Sequence, residues 1–192
     1  MDRSEFETDN RSGLAPEFAG ELRLRREVLQ LSLCRDLWCF EARISQSDWR
    51  DAQAGGTSSG FGGGLAVSRQ FAASGQWTLG AEVAVEAGAA ETDAVAGSLR
   101  WVQVETRIAA AWTPSPFSTW GLAPYGGVGF RYLDGVQRFD TGDFNEVDGK
   151  LPYAFAGAVL EIGASEHARY QLLVEAQFGD VDGLTASIAL TF

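Results

Sequence analysis

Glu41, Arg43, Glu82, Glu86, Glu105, Arg107, Arg131, Glu161 and Glu175 carry most of the charge that could do chemistry in this chain, and each sits among alternating apolar residues. Two carboxylates flanking a sugar bond can hydrolyse it. Acids spaced two residues apart and close to arginines are better read as ion pairs. Glu82 and Glu86 with Arg43, Arg107 and Arg131 would then form either a stabilising network or a charged plug that gates slow ion leakage. The one histidine, His167, lies in the turn "SEHAR". A Ser–His–acid hydrolase needs its histidine held rigidly beside the nucleophile. No catalytic residue is therefore expected.

Cys34 and Cys39 bracket "CRDLWC". They are either two unpaired small residues or a disulfide across a tight hairpin end, and the second would imply an oxidising compartment. With one histidine and two cysteines the chain cannot assemble a four-ligand zinc site. No metal or other cofactor is expected. The acidic stretch "FDTGDFNEVDGK" places Asp140, Asp143, Glu146 and Asp148 near alternate positions but lacks the full spacing of a calcium loop. A solvated surface loop is expected there. Its alternatives are cations bridging lipopolysaccharide, or a host or phage partner. "GFGGG" and "PYGGVG" precede no helix, so they are not phosphate cradles.

The elements that would hold these charges have period two. The closing "DGLTASIALTF" puts Leu184, Ala186, Ile188, Leu190 and Phe192 on one parity and Thr185, Ser187 and Thr191 on the other. Comparable runs start near residues 38, 61, 77, 102, 125, 153 and 170, with turn signals between them. This makes about eight strands over 37–192, each of a length that crosses a bilayer when tilted. Polar connections near 48–60, 91–98 and 135–150 are long, and those near 72–76, 113–119 and 164–168 are short; 180–183 breaks the alternation. Residues 1–20 lack periodicity and read as a disordered tail. Residues 21–36, with "ELRLRREVLQLSL", read as an extension: a capping piece or an extra strand, although a helical stripe is also allowed.

Period two leaves open which face looks inward. A soluble barrel would bury its apolar parity, as in a lipocalin-like carrier of an apolar ligand. A membrane barrel would turn it towards lipid. Gly62, Gly64, Gly80, Gly127, Gly129 and Gly157 share the charged parity, where a narrow bore needs room. Trp38, Trp77, Trp112, Tyr170 and Phe192 fall near strand ends, where an interfacial aromatic belt would sit. The lipid-facing orientation is therefore expected, with the Glu/Arg set in the lumen. The 192 residues suffice for one such domain, and a mean hydropathy of -0.08 fits alternation, which no spanning helix would give. A net charge of -11 argues against nucleic acid. "MDRSEFETDN" shows no basic start and apolar core of a secretory signal. A mature or cloned start, a wrong gene start and a protein that is not exported are all open.

"LTASIALTF", "YQLLVEAQFGD" and "PYGGVGFRY" together resemble the small outer-membrane β-barrel proteins of Gram-negative bacteria, including those similar to the outer-membrane protein A transmembrane domain. The resemblance covers roughly 37–192 and is one of pattern. It implies an all-β, up-and-down antiparallel transmembrane β-barrel with a short N-terminal extension. It further implies an outer-membrane location, a structural or surface-interaction role, and contact with lipid and lipopolysaccharide. The terminal strand would address the barrel-assembly machinery, and the protein would act as a monomer. A narrow pore is the alternative within this class.

Overall fold

The alternation takes shape as ten antiparallel strands in a computed structural model. The structure describes the backbone of residues 2–9, 21–51, 57–92, 97–112, 120–139, 142, 144–165, 168–179 and 181–191. In chain order the strands are β1 (Asp2–Asp9), β2 (Glu21–Arg35), β3 (Trp38–Asp51), β4 (Thr57–Ser74) and β5 (Trp77–Thr92), then β6 (Gly97–Trp112), β7 (Trp120–Phe139), β8 (Phe144–Ser165), β9 (Ala168–Gly179) and β10 (Val181–Thr191). From β2 to β10 each strand pairs with the next, and β1 returns between β2 and β10 to close the cylinder.

The eight strands expected over 37–192 are β3 to β10. Of the two others, one departs from the sequence reading and the other takes up an option that it left open. Residues 2–9 were expected in an unstructured tail and instead form β1, and the 21–36 extension supplies β2. The physical reason lies in the register. Leu29, Leu31 and Leu33 face Ile44, Ala42 and Phe40 across the β2–β3 ladder, so the apolar parities coincide. That match satisfies the backbone and both faces at once, which a lone helix would not. Two added strands also keep the count even.

The long polar connections differ as well. Of 48–60, 91–98 and 135–150, only 52–56, 93–96 and 140–143 lie between strands, and the polar residues beside them continue the ladders. Paired backbone needs no apolar face once a neighbour supplies the hydrogen bonds. Asp148 and Glu146 accordingly lie in β8, facing Asp134 and Val136 of β7. At the opposite rim Asp36 and Leu37 turn β2 into β3. Asp36 takes a left-handed φ of 55°, which aspartate tolerates. Directly behind it Cys34 and Cys39 are register partners joined by a disulfide, with Cα atoms 4.0 Å apart.

The two parities separate cleanly. Phe40, Ile44, Phe61, Leu65, Val83, Val85, Ile108, Val128 and Val174 are exposed on the outside. Ser45, Ser47, Glu86, Gln103, Glu105, Arg131 and Glu175 are buried inside. Leu172 is 38 % exposed whereas Glu105 and Glu175 are 5 % and 3 % exposed. An outward oily surface of this extent, around a buried ionic interior, inverts the pattern of a soluble carrier.

Leu65 lies mid-strand on β4 and 70 % exposed. Leu65→Arg should lower the folding free energy in phospholipid vesicles by about 2–4 kcal/mol, the usual cost of a cation at the bilayer midplane. Urea titration of the vesicle-folded protein measures this, and an unchanged midpoint would contradict the outward assignment.

Candidate functional site

The bore is layered, and each layer follows from which inward side chains meet at that height. Nearest the rim that carries the 52–56, 93–96 and 140–143 connections, Trp49, Leu99, Trp101, Leu133, Val147 and Leu151 pack into an apolar cluster. Trp49 and Trp101 meet at 6.1 Å between ring centroids, tilted by 54°. Tyr153 and Phe155 continue the cluster downward. Large rings fit in a narrow cylinder only where the facing strands carry no side chain. A Cβ on Gly62 would come within 2.8 Å of both Trp101 Cη2 and Ser45 Oγ, and one on Gly88 would overlap the Trp101 ring. Glycines on the inner parity are thus sockets for aromatic rings.

Below this plug lies a belt of charge. Arg43 of β3 donates to Glu41 Oε2 at 2.9 Å and to Glu82 Oε1 of β5 at 2.7 Å. Its other terminal nitrogen lies 4.0 Å from Glu105 Oε2. Arg131 of β7 donates to Glu105 Oε1 of β6 at 3.1 Å, and Tyr153 donates to the same oxygen. Arg107 of β6 reaches across the bore to Glu175 of β9 and stacks 4.0 Å over the Phe155 ring. Glu175 also accepts from Tyr125 at 2.9 Å and from Gln177 at 3.0 Å. Ser45 donates to Glu86.

Sequence spacing anticipated the members of this belt but not its wiring. Glu82 faces Arg107 directly in the β5–β6 register, yet Glu82 is held by Arg43 and Arg107 is held by Glu175. Cross-bore pairing wins because β7 and β8, which lie between β6 and β9, present Gly127, Gly129 and Gly157 there. A Cβ at Gly127 or Gly157 would meet Phe155 or Tyr125 at 2.7 Å, and one at Gly129 would overlap Tyr153. Eight of the nine charged residues named from the sequence therefore line one layer. Glu161 lies outside the residues whose side chains are described. Trp49, Trp101, Leu133 and Phe155 were not anticipated as lumen residues, because an apolar side chain on the inner parity reads as an interruption of the pattern. Trp101 beside Leu99 on the odd parity of β6 was the available signal.

Beneath and beside the belt is a chamber of about 1070 Å³ whose wall combines Arg43, Glu82, Arg107 and Glu175 with small side chains such as Ser68, Thr78, Ala109 and Ala123. Trp38, Trp77 and Trp112 stand around its rim. Trp77 and Trp112 are register partners, and Trp112 Nε1 donates to Gln76 at 3.0 Å. Trp38 is half-exposed under the Arg69 guanidinium at 4.8 Å. Tyr170, Phe192 and His167 lie outside the described side chains, as do Asp140 and Asp143. Among the described residues no group of three or more His, Cys, Asp or Glu is placed to hold a metal ion.

Removing one carboxylate from this belt leaves a largely buried cation without its counter-charge. Glu175→Gln should destabilise the folded barrel by about 3–5 kcal/mol, the usual cost of breaking a buried pair. The double variant Glu175→Gln/Arg107→Met should recover most of that loss, as read by urea unfolding in detergent. Equal losses in the single and double variants would show that the pair is not coupled.

No family model and no curated protein matches this chain. Among solved structures it is similar to the translocator domain of the autotransporter NalP from Neisseria meningitidis, with a TM-score of 0.56 and 11 % sequence identity. The match covers 98 % of this chain and 71 % of that one. At that identity the likeness speaks to architecture alone. With the outward apolar surface it establishes that the chain has the fold of an outer-membrane β-barrel.

Proposed function

We propose that this protein is an integral outer-membrane β-barrel with a structural or surface-interaction role, and that its bore is a stabilising network with no catalytic duty. The observation that carries this reading is the mutual engagement of the bore charges. Glu41, Arg43, Glu82, Glu105, Arg107, Arg131 and Glu175 each bond a group of opposite charge within the barrel. Groups committed in this way are poor general acids, bases or nucleophiles.

The apolar outside would be covered by lipid and the polar rim strands by lipopolysaccharide. The Cys34–Cys39 disulfide favours an oxidising compartment such as the cell envelope of a Gram-negative bacterium. The terminal strand would serve as the address for the barrel-assembly machinery, and the protein would act as a monomer. A narrow pore is the weaker reading. Trp49, Leu99, Trp101, Leu133 and Val147 are each no more than 2 % exposed and together fill the bore above the charged belt.

Two measurements test this. Folded protein in detergent should migrate faster on a gel than the boiled sample and should precipitate when detergent is removed. In planar bilayers it should be silent, whereas Trp101→Ala/Leu133→Ala should conduct. A detergent-free soluble monomer, or steady conductance by the unaltered protein, would overturn the proposal.

A further inference from the structure

The chamber has two unlike walls. Along β6 to β9 its inward side chains include Ala109, Ala111, Ala123, Val159 and Leu173. Ala123 faces Val159 across the β7–β8 ladder, and Val159 faces Leu173 across β8–β9, so these three form one continuous apolar strip. Along β3 to β5 the lining is polar, with Glu41, Arg43, Ser68, Gln70, Thr78 and Glu82. An inward apolar strip gains nothing from facing water. A concave space with an apolar wall and a few convergent polar groups has the character of a small-molecule site.

The polar groups that converge on it ask for a cation. One nitrogen of Arg43, Nη2, donates to Glu41 Oε2 at 2.9 Å and to Glu82 Oε1 at 2.7 Å, which holds the two carboxylates side by side. Arg131 with Glu105 and Arg107 with Glu175 are matched one to one. The carboxylate in excess therefore stays with the Glu41–Arg43–Glu82 trio. Among the described residues Glu41 Oε1 and Glu82 Oε2 accept no side-chain bond. A third acceptor stands apart from the trio. Gln177 is only 7 % exposed, yet it lines the chamber. Its amide nitrogen donates to Glu175 at 3.0 Å, and its buried oxygen has no partner among the described residues. Such an acceptor is costly to leave unmet. The described acids are not grouped to hold a metal ion, and a hydrated ion would make no use of the apolar strip.

We propose that the chamber binds a small amphiphile with a primary ammonium head on a short apolar body. An ammonium is a compact charge with three donors and no acceptor. Seated between Glu41 and Glu82, it balances the trio and makes charge-assisted bonds to both. The apolar body lies on the Ala123–Val159–Leu173 strip. Three adjacent strands span about 10 Å, a length suited to a chain of about eight carbons and not to a lipid tail. The ligand enters from the rim where Asp36 and Leu37 turn β2 into β3, since both line the chamber. The aromatic plug closes the far end, so the site holds its ligand and does not pass it on.

Octylamine, octanol and octanoate share one chain and differ in the head, which makes them the probes. Ala111→Cys places a thiol inside the chamber, and its rate of alkylation by iodoacetamide is read in detergent-folded protein. Octylamine should slow that reaction about tenfold, and octanol and octanoate less than about twofold. Leu65→Cys, on the outer face, should react at an unchanged rate with each probe. Adding Glu82→Gln to Ala111→Cys should reduce protection by octylamine to the level of octanol. Should that variant fail to show heat-modifiable migration, Ala111→Cys/Ala123→Trp fills the strip with the charged belt intact and should abolish protection. Equal slowing by all three probes, stronger slowing by octanoate, or none in folded protein would overturn the proposal. Full protection retained in folded Glu82→Gln or Ala123→Trp protein would overturn it as well.

Discussion

Charge drawn into a narrow bore has to find charge, and the rest of this barrel is arranged around that requirement. Arg43, Arg107 and Arg131 point into a bore whose apolar exterior faces the other way. Each is met by carboxylates, and one pair spans the lumen from β6 to β9. The separation of faces follows from strand geometry. A residue that turns one side chain inward turns its neighbours outward, so a charged interior and an oily exterior are specified together. The inner glycines follow from the same constraint. The guanidiniums and the Tyr125, Tyr153 and Phe155 rings can cross the bore only where the facing positions carry no Cβ.

The layering along the axis separates the bore's tasks. The aromatic plug excludes water at one end, which strengthens the ion pairs beneath it. The belt in turn fixes the relative height of β3, β5, β6, β7 and β9, because a slip of one residue would turn its members outward. The chamber below is walled by the belt charges and small residues together and extends to Val28 and Leu29 of β2.

Much of this was legible in the residues. Alternation gave eight of the ten strands, the direction in which Glu105 and Glu175 point, and the placement of Trp38, Trp77 and Trp112 near strand ends. Two strands were less legible, β2 only as one of several options and β1 not at all. In β2 the apolar residues support either period, and only pairing with β3 decides. In β1 the alternation is weak, and its order comes from partners distant in sequence. The polar ends of β7 and β8 read as loop because composition reports solvent, whereas backbone pairing extends past the bilayer. The wiring of the belt was hidden for a similar reason. Adjacent-strand register suggests Glu82 with Arg107, while the pairs that form are set by the three-dimensional width of the bore.

The central claim is that the apolar parity meets lipid and the charged parity does not. It is tested most directly by attaching a fluorophore to Leu65→Cys and, separately, to Ser68→Cys in protein folded into vesicles of brominated phospholipid. Strong quenching at the first position and little at the second is the predicted result. Comparable quenching at both, or stronger quenching at position 68, would contradict the orientation on which the account rests.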